Sequence, residues 1–264
     1  LQYYFIAKNH FLFKRFLKHV DCITHQARQT KDTLVKKYHV PPHILENITM
    51  GADFEFFRPM NKSTAREYLN IDKEETVLLS VCRLNPRKQV DKLLQVFQER
   101  EISKFHFKLY VVGNGLKKYE NYLKETAREL INEGKVVLVG NKSSSELVYY
   151  YNAADLFLQT AYSEAGPVTS MEALACETPV FSTNTGRVAE VLNVHNKGMI
   201  VRTKDYKQWK ECMRKFMEGK PIEILDRETA RQYFSWSSVA KKFIHVYQQV
   251  LKNKQPELSG DIAH

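Results

Sequence analysis

Beyond residue 75 the apolar positions of this chain follow two alternating rhythms. Short continuous runs at 76–81, 107–112, 135–139, 155–160, 179–182 and 199–202 have the length and β-branched content of buried strands. Between them the apolar positions fall three and four apart, as on one face of a helix. Val90, Leu93, Leu94 and Phe97 make one such stripe, Tyr119, Tyr122, Leu123, Ala127 and Leu130 a second, and Trp209, Met213 and Phe216 another. Shorter helices are expected after 135–139, where Ser143 and Glu146 have capping-box spacing, and around 188–192. Strand–helix units in such succession predict an α/β fold, a Rossmann-like parallel sheet with helices on both faces.

The flanks are patterned differently. Val239, Phe243, Val246, Tyr247 and Val250 predict a closing helix over 236–251. Residues 1–50 carry a helical stripe (Phe11, Phe16, Leu17, Val20), a short strand near 22–24, a basic helix over 30–38 and then Pro41-Pro42. That is too little for a full domain. In an open parallel sheet ligands bind beyond the carboxyl ends of the strands, and the polar or glycine-rich stretches 82–89, 113–115, 140–142, 161–168 and 183–187 fall at those ends.

One of these stretches carries two carboxylates around a helix start. Glu164 precedes Gly166 and Pro167, and Glu172 follows inside the stripe of Met171, Leu174 and Ala175. Gly166 suits a cap conformation and Pro167 the first helical position, where its missing N–H is no loss. The free N–H groups and the positive end of the helix dipole favour a phosphate or a polarised hydroxyl there. The same dipole explains two acids near a helix start without any function. A glycosidase-type acid and base pair fits poorly, since a loop and the second turn of its own helix do not span a cleft. Arg83 and Lys88 flank the 82–89 loop. A guanidinium fork and a lysine point charge suit adjacent phosphates; a solvated basic loop is the plain alternative.

Composition narrows the partners. The 264 residues are 43% hydrophobic and carry a formal charge of +10, which favours an anionic partner. The basic residues form short scattered clusters with no long tail and no aromatic–basic motif, so nucleic acid is not expected. Cys22, Cys82, Cys176 and Cys212 lack zinc-ligand spacing, which points to a reducing, cytoplasmic setting. No run approaches a membrane span, the first residues lack a signal-peptide pattern, and a start at Leu1 reads as a cut piece.

Taken in order, these motifs resemble a known family. Arg83-Leu84 with Lys88 after a strand, Val112-Gly113-Asn114-Gly115, Tyr151-Asn152-Ala153-Ala154-Asp155, the Glu164 to Glu172 run and Ala175-Cys176-Glu177-Thr178-Pro179-Val180 are similar to the donor half of retaining GT-B glycosyltransferases of family 4. Met50-Gly51-Ala52-Asp53 with Phe57-Arg58-Pro59 resembles that family's interdomain link, and Phe234-Ser235-Trp236 with Tyr247 its terminal crossover helix. The resemblance implies that 1–50 end an acceptor domain, 51–235 form a nucleotide-sugar domain, 236–251 cross back and 252–264 are a flexible tail.

It also implies roles. Arg83 and Lys88 would hold the diphosphate of a UDP- or GDP-sugar, neutralising the leaving group without a metal or other cofactor. Glu172 would accept from the ribose hydroxyls and Glu164 from the transferred sugar. The amides of Gly166, Val168 and Thr169 would lie near sugar and phosphates, and Lys142 beside the base. Transfer of a hexose to a sugar, lipid or protein acceptor, with retention and in glycan or glycolipid synthesis, would follow. The reaction would lie in the cytoplasm, with peripheral contact to an anionic inner membrane face. A non-catalytic nucleotide-sugar-binding module and a sugar-nucleotide epimerase share the fold and are the alternatives. Departures are Glu177 and Gln89 where the family has glycine, Cys82 where glycine precedes the arginine, and the Ala165-Gly166-Pro167 sequence after Glu164. His10, His19, His25, His39 and His43 match no family motif.

Overall fold

The strand runs become six parallel strands because they are mostly apolar on both faces, as a sheet covered by helices on both sides requires. The computed structural model describes residues 15–17 and 19–254. A small parallel pair, β1 (Ile23–His25) and β2 (Leu45–Asn47), precedes the main sheet of β3 (Val77–Val81), β4 (Lys108–Val112), β5 (Val136–Gly140), β6 (Leu156–Gln159), β7 (Val180–Thr183) and β8 (Met199–Val201), with spatial order β5-β4-β3-β6-β7-β8. Side chains alternate across it. Val77, Leu79, Val81, Tyr110, Val112 and Phe157 pack into one apolar layer, and Leu78, Leu109, Val111, Leu156 and Leu158 into the other. The Rossmann-like expectation is met, and strand order reverses between β3 and β6.

The helices differ from the periodicity in instructive places. The stripe from Tyr119 to Leu130 is two helices, Lys117–Thr126 and Arg128–Asn132. Gln98 donates its side-chain amide to the Thr126 carbonyl at the break. The helix expected to begin on Pro167 is Val168–Ala175, with Pro167 as its N-cap and its carbonyl accepting from Ser170 and Met171. Helix Gly186–His195 is longer than the 188–192 stripe. Trp236–Lys254 runs into the segment expected to be a tail. The amino-terminal stripe at Phe11 and the tail beyond residue 254 lie outside the described residues.

Helix Lys62–Tyr68 and helix Arg227–Phe234 were not legible as apolar stripes. The first is pinned by Arg66, almost fully buried, whose guanidinium donates to Asp155 at 2.8 Å and to the Ala153 carbonyl at 3.2 Å. The second ties down the link from the amino-terminal segment. Phe234 accepts from the Ala52 amide at 2.8 Å, and Arg227 donates to the Ala175 and Phe54 carbonyls. No described helix is long and apolar enough to cross a membrane.

Candidate active site at the strand-order reversal

Parallel strands send all their outgoing loops to one rim, and the loops after β3 and β6 meet there because those strands are neighbours. The first contains a tight turn at Pro86–Lys88. Asn85 caps it by accepting from the Arg87 amide at 3.1 Å, and Gln89 ends it in the left-handed region at φ 53°. The second is pinned to the first twice: the Tyr162 amide donates to the Arg87 carbonyl at 2.8 Å and Thr160 Oγ1 to the Lys88 carbonyl at 2.8 Å. Lys88 Nζ and Glu164 Oε1 thereby form an ion pair, with side chains 20% and 11% exposed. Arg83 stands on the same rim, exposed, with no side-chain partner among the described residues.

The helix start adds donors. The amides of Gly166, Val168 and Thr169 have no acceptor among the described residues, as expected for a helix's first turn. Glu172 lies behind them, largely buried, and accepts from Tyr151 Oη at 2.6 Å. Burial pushes the Glu172 carboxyl above its ordinary range, and the Tyr151 bond pulls partly back. The Tyr151 hydroxyl, fully buried beside that carboxylate, is pushed well above its usual value by burial first. Such a carboxylate has an oxygen left to accept a hydroxyl.

Lys142 is drawn elsewhere. It follows β5, the edge strand two places from β3, and its ammonium pairs with Glu146 at 2.8 Å. That bond raises the Lys142 pKa. That carboxylate belongs to the capping box that Ser143 and Glu146 build at the start of helix Ser144–Ala153.

Two glycines of the predicted motifs answer to packing. Gly113 has φ 128°, and a Cβ there would lie 2.0 Å from the Cys82 carbonyl oxygen, so the loop after β4 can cross the loop after β3 only without a side chain. At Gly166 a Cβ would stand 2.7 Å from Gln26 Oε1 and 2.8 Å from Thr49 Oγ1. Gln26 and Thr49 come from the amino-terminal segment, and the Thr49 hydroxyl is buried without a hydrogen-bond partner among the described residues. Neither residue carried a motif signal. They are found only because β1 and the strand-to-link turn fold back onto the rim. Among the described residues no cluster of His, Cys, Asp and Glu has the makings of a metal site.

A family profile described as "Glycosyl transferases group 1" matches residues 61–233, which run from the N-cap of helix Lys62–Tyr68 through both carboxylates. The chain belongs to this family. Among group 1 relatives it resembles the D-inositol 3-phosphate glycosyltransferase of Rhodococcus jostii, at 28% identity over 242 residues that make up 88% of this chain and 53% of that protein. The chain thus spans about half the length of the curated relatives it matches. In structure it is similar to sucrose-phosphate synthase from Thermosynechococcus elongatus, with a TM-score of 0.75 at 21% identity, covering 94% of this chain and 63% of that one. It is similar also to Anabaena HepE in complex with UDP-glucose, with a TM-score of 0.70 at 17% identity, covering 87% and 64%. These likenesses establish the GT-B type of fold for the group 1 domain.

Proposed function

We propose that the rim between β3 and β6 binds the donor of a metal-independent, retaining hexosyl transfer from a nucleotide-diphosphate sugar, of the kind carried out by family 4 enzymes. The observation that carries the reading is the meeting of Lys88 and Glu164 at the strand-order reversal, beside Arg83 and three amides that have no partner among the described residues. Arg83 and Lys88 supply positive charge to the diphosphate, so the leaving group is stabilised as its bond to the anomeric carbon breaks. Lys88 then exchanges Glu164 for phosphate, and Glu164 is released to accept from sugar hydroxyls. Glu172, held by Tyr151, accepts from the ribose. The acceptor oxygen bonds to the face the phosphate leaves, and the departing phosphate takes its proton, which gives retention. Relatives named as glycosyltransferases and the UDP-glucose complex of HepE support a nucleotide-sugar donor. The excess positive charge favours contact with an anionic membrane surface at the cytoplasmic side. Lys142, spent on Glu146, is the weakest member of the set.

Calorimetric titration with UDP- and GDP-hexoses tests the reading. One of them is expected to bind, and Arg83→Glu is expected to weaken it about a hundredfold, replacing a charge-assisted bond by repulsion. Binding of none, or undiminished binding by Arg83→Glu, removes the assignment.

A further inference from the structure

A second polar concavity lies on the other side of the Glu164 loop. Helix Gly186–His195 and the loop after β7 form one wall, and helix Arg28–Tyr38 from the amino-terminal segment forms the other. Its volume is about 740 Å³, and it adjoins a cavity of about 600 Å³ that shares Arg28, Asp32, Arg187 and Glu190. The wall is continuous with the donor rim. The Arg187 amide donates to the Ala165 carbonyl at 2.7 Å, and a Cβ on Gly186 would lie 3.2 Å from Glu164 Cβ.

The chemistry of this groove differs from that of the rest of the molecule. The chain carries +10 overall, yet here three cations, Arg28, Lys31 and Arg187, meet three carboxylates, Asp32, Glu46 and Glu190. Glu190 is committed to the structure: it accepts from the Arg28 amide at 2.6 Å and from Arg187 at 3.0 Å, joining the two walls. Asp32 and the Arg28 guanidinium have no side-chain partner among the described residues. Tyr162 lies half-exposed at one end, with Lys204 over its ring. A sugar hydroxyl both donates and accepts, so it needs carboxylates and guanidinium groups together, and a ring face suits an aromatic side chain. A phosphorylated ligand would gain from the arginines and be repelled by Asp32 and Glu46.

We infer that the groove between helices Arg28–Tyr38 and Gly186–His195 is the acceptor site and that it takes a neutral oligosaccharide. The inference rests on the donor-site reading above for which end of the glycan reacts, the end reaching Glu164 past Ala165. Binding itself is independent of that reading. Asp32 accepts from glycan hydroxyls, Arg28 donates to them, and Tyr162 packs against a ring.

Saturation-transfer NMR and calorimetry on the full chain test it, with maltose, cellobiose, lactose, chitobiose and maltotriose as neutral probes and glucose 6-phosphate as the anionic one. At least one neutral probe is expected to bind. Asp32→Ala and Tyr162→Ala are each expected to weaken it about tenfold, the loss of a charged hydrogen-bond partner or a stacking face. Both side chains are exposed, so the variants are expected to fold, and an unchanged melting temperature checks this. Binding of glucose 6-phosphate alone, of no probe, or of a neutral probe equally by both variants overturns the inference. If a neutral sugar binds in this pattern while no UDP- or GDP-hexose does, the donor reading fails and the groove stands.

Discussion

Glu172 is a carboxyl on which burial and a hydrogen bond act in opposite directions, and burial prevails. Its raised pKa means that it takes up a proton at a pH where an ordinary glutamate is still ionised. A protonated Glu172 has lost acceptor capacity, so affinity for a nucleotide-sugar donor is expected to fall on acidification before the ordinary carboxylate range is reached. Glu172→Gln is expected to bind more weakly at neutral pH and to lose that dependence; calorimetry across pH checks both. The sign for stability is the reverse. A carboxyl with a raised folded pKa stabilises the protonated native state, and that stability is lost as pH rises through the folded value. Glu177 shows a different local cost. It follows helix Val168–Ala175 at φ 58° with an exposed side chain, a conformation that penalises a Cβ by about 1–2 kcal/mol. Glu177→Gly is expected to raise stability by about 1 kcal/mol in urea unfolding. The family resemblance had marked Glu177 and Gln89 as standing where glycine is usual, and both occupy left-handed backbone.

Among the elements, the strands were legible and the ionic attachments were not. Six apolar runs gave six strands within a residue or two at each end, because strands buried in a parallel sheet carry few polar positions to blur the pattern. Helix Lys62–Tyr68 has no comparable stripe: its buried residues are Ala65 and Arg66. It is held through Asp155, which accepts from Lys62 at 2.8 Å, from Arg66 at 2.8 Å and from the Val77 amide at 2.7 Å. Such a hub joins residues far apart in sequence and has no periodicity to reveal it. Asp155→Ala leaves the Arg66 guanidinium buried without its carboxylate, and a loss of about 3 kcal/mol is expected, the low end for a broken buried pair because Asp155 is partly exposed. Denaturant unfolding measures it. The family resemblance implies a place beside the base for Lys142, and in the structure the capping box next to it supplies a partner four residues away. The spacing of Ser143 and Glu146 was visible in the sequence; the claim of Glu146 on Lys142 was not.

At the scale of the whole molecule, a ligand that bridges the loops after β3 and β6 binds only the folded chain. A donor at a hundred times its dissociation constant therefore adds about 2.7 kcal/mol, and a rise in melting temperature of about 5–10 °C is expected for a chain of this size. Thermal unfolding with UDP- and GDP-hexoses reads it, and Arg83→Glu is expected to abolish the shift. Alternation of apolar runs and helical stripes determined the parallel sheet, and connection order confined the candidate loops to one rim. The order of Arg83, Lys88, Glu164 and Glu172 along that frame determined the family resemblance. Those are properties of local pattern, and local pattern is written in the sequence. Tertiary structure alone decided which strands are neighbours, and so that Lys88 reaches Glu164 while Lys142 stays at the edge. It also decided that Gly166 is narrowed by Gln26 and Thr49, and that Arg28 and Asp32 face Arg187 across a groove. The β3–β6 pairing, the Lys88–Glu164 pair, the narrowing at Gly166 and the groove each depend on where chain segments separated by 70 residues or more come to rest. The burial of the whole sheet sets those positions, and no single stretch of the sequence encodes them.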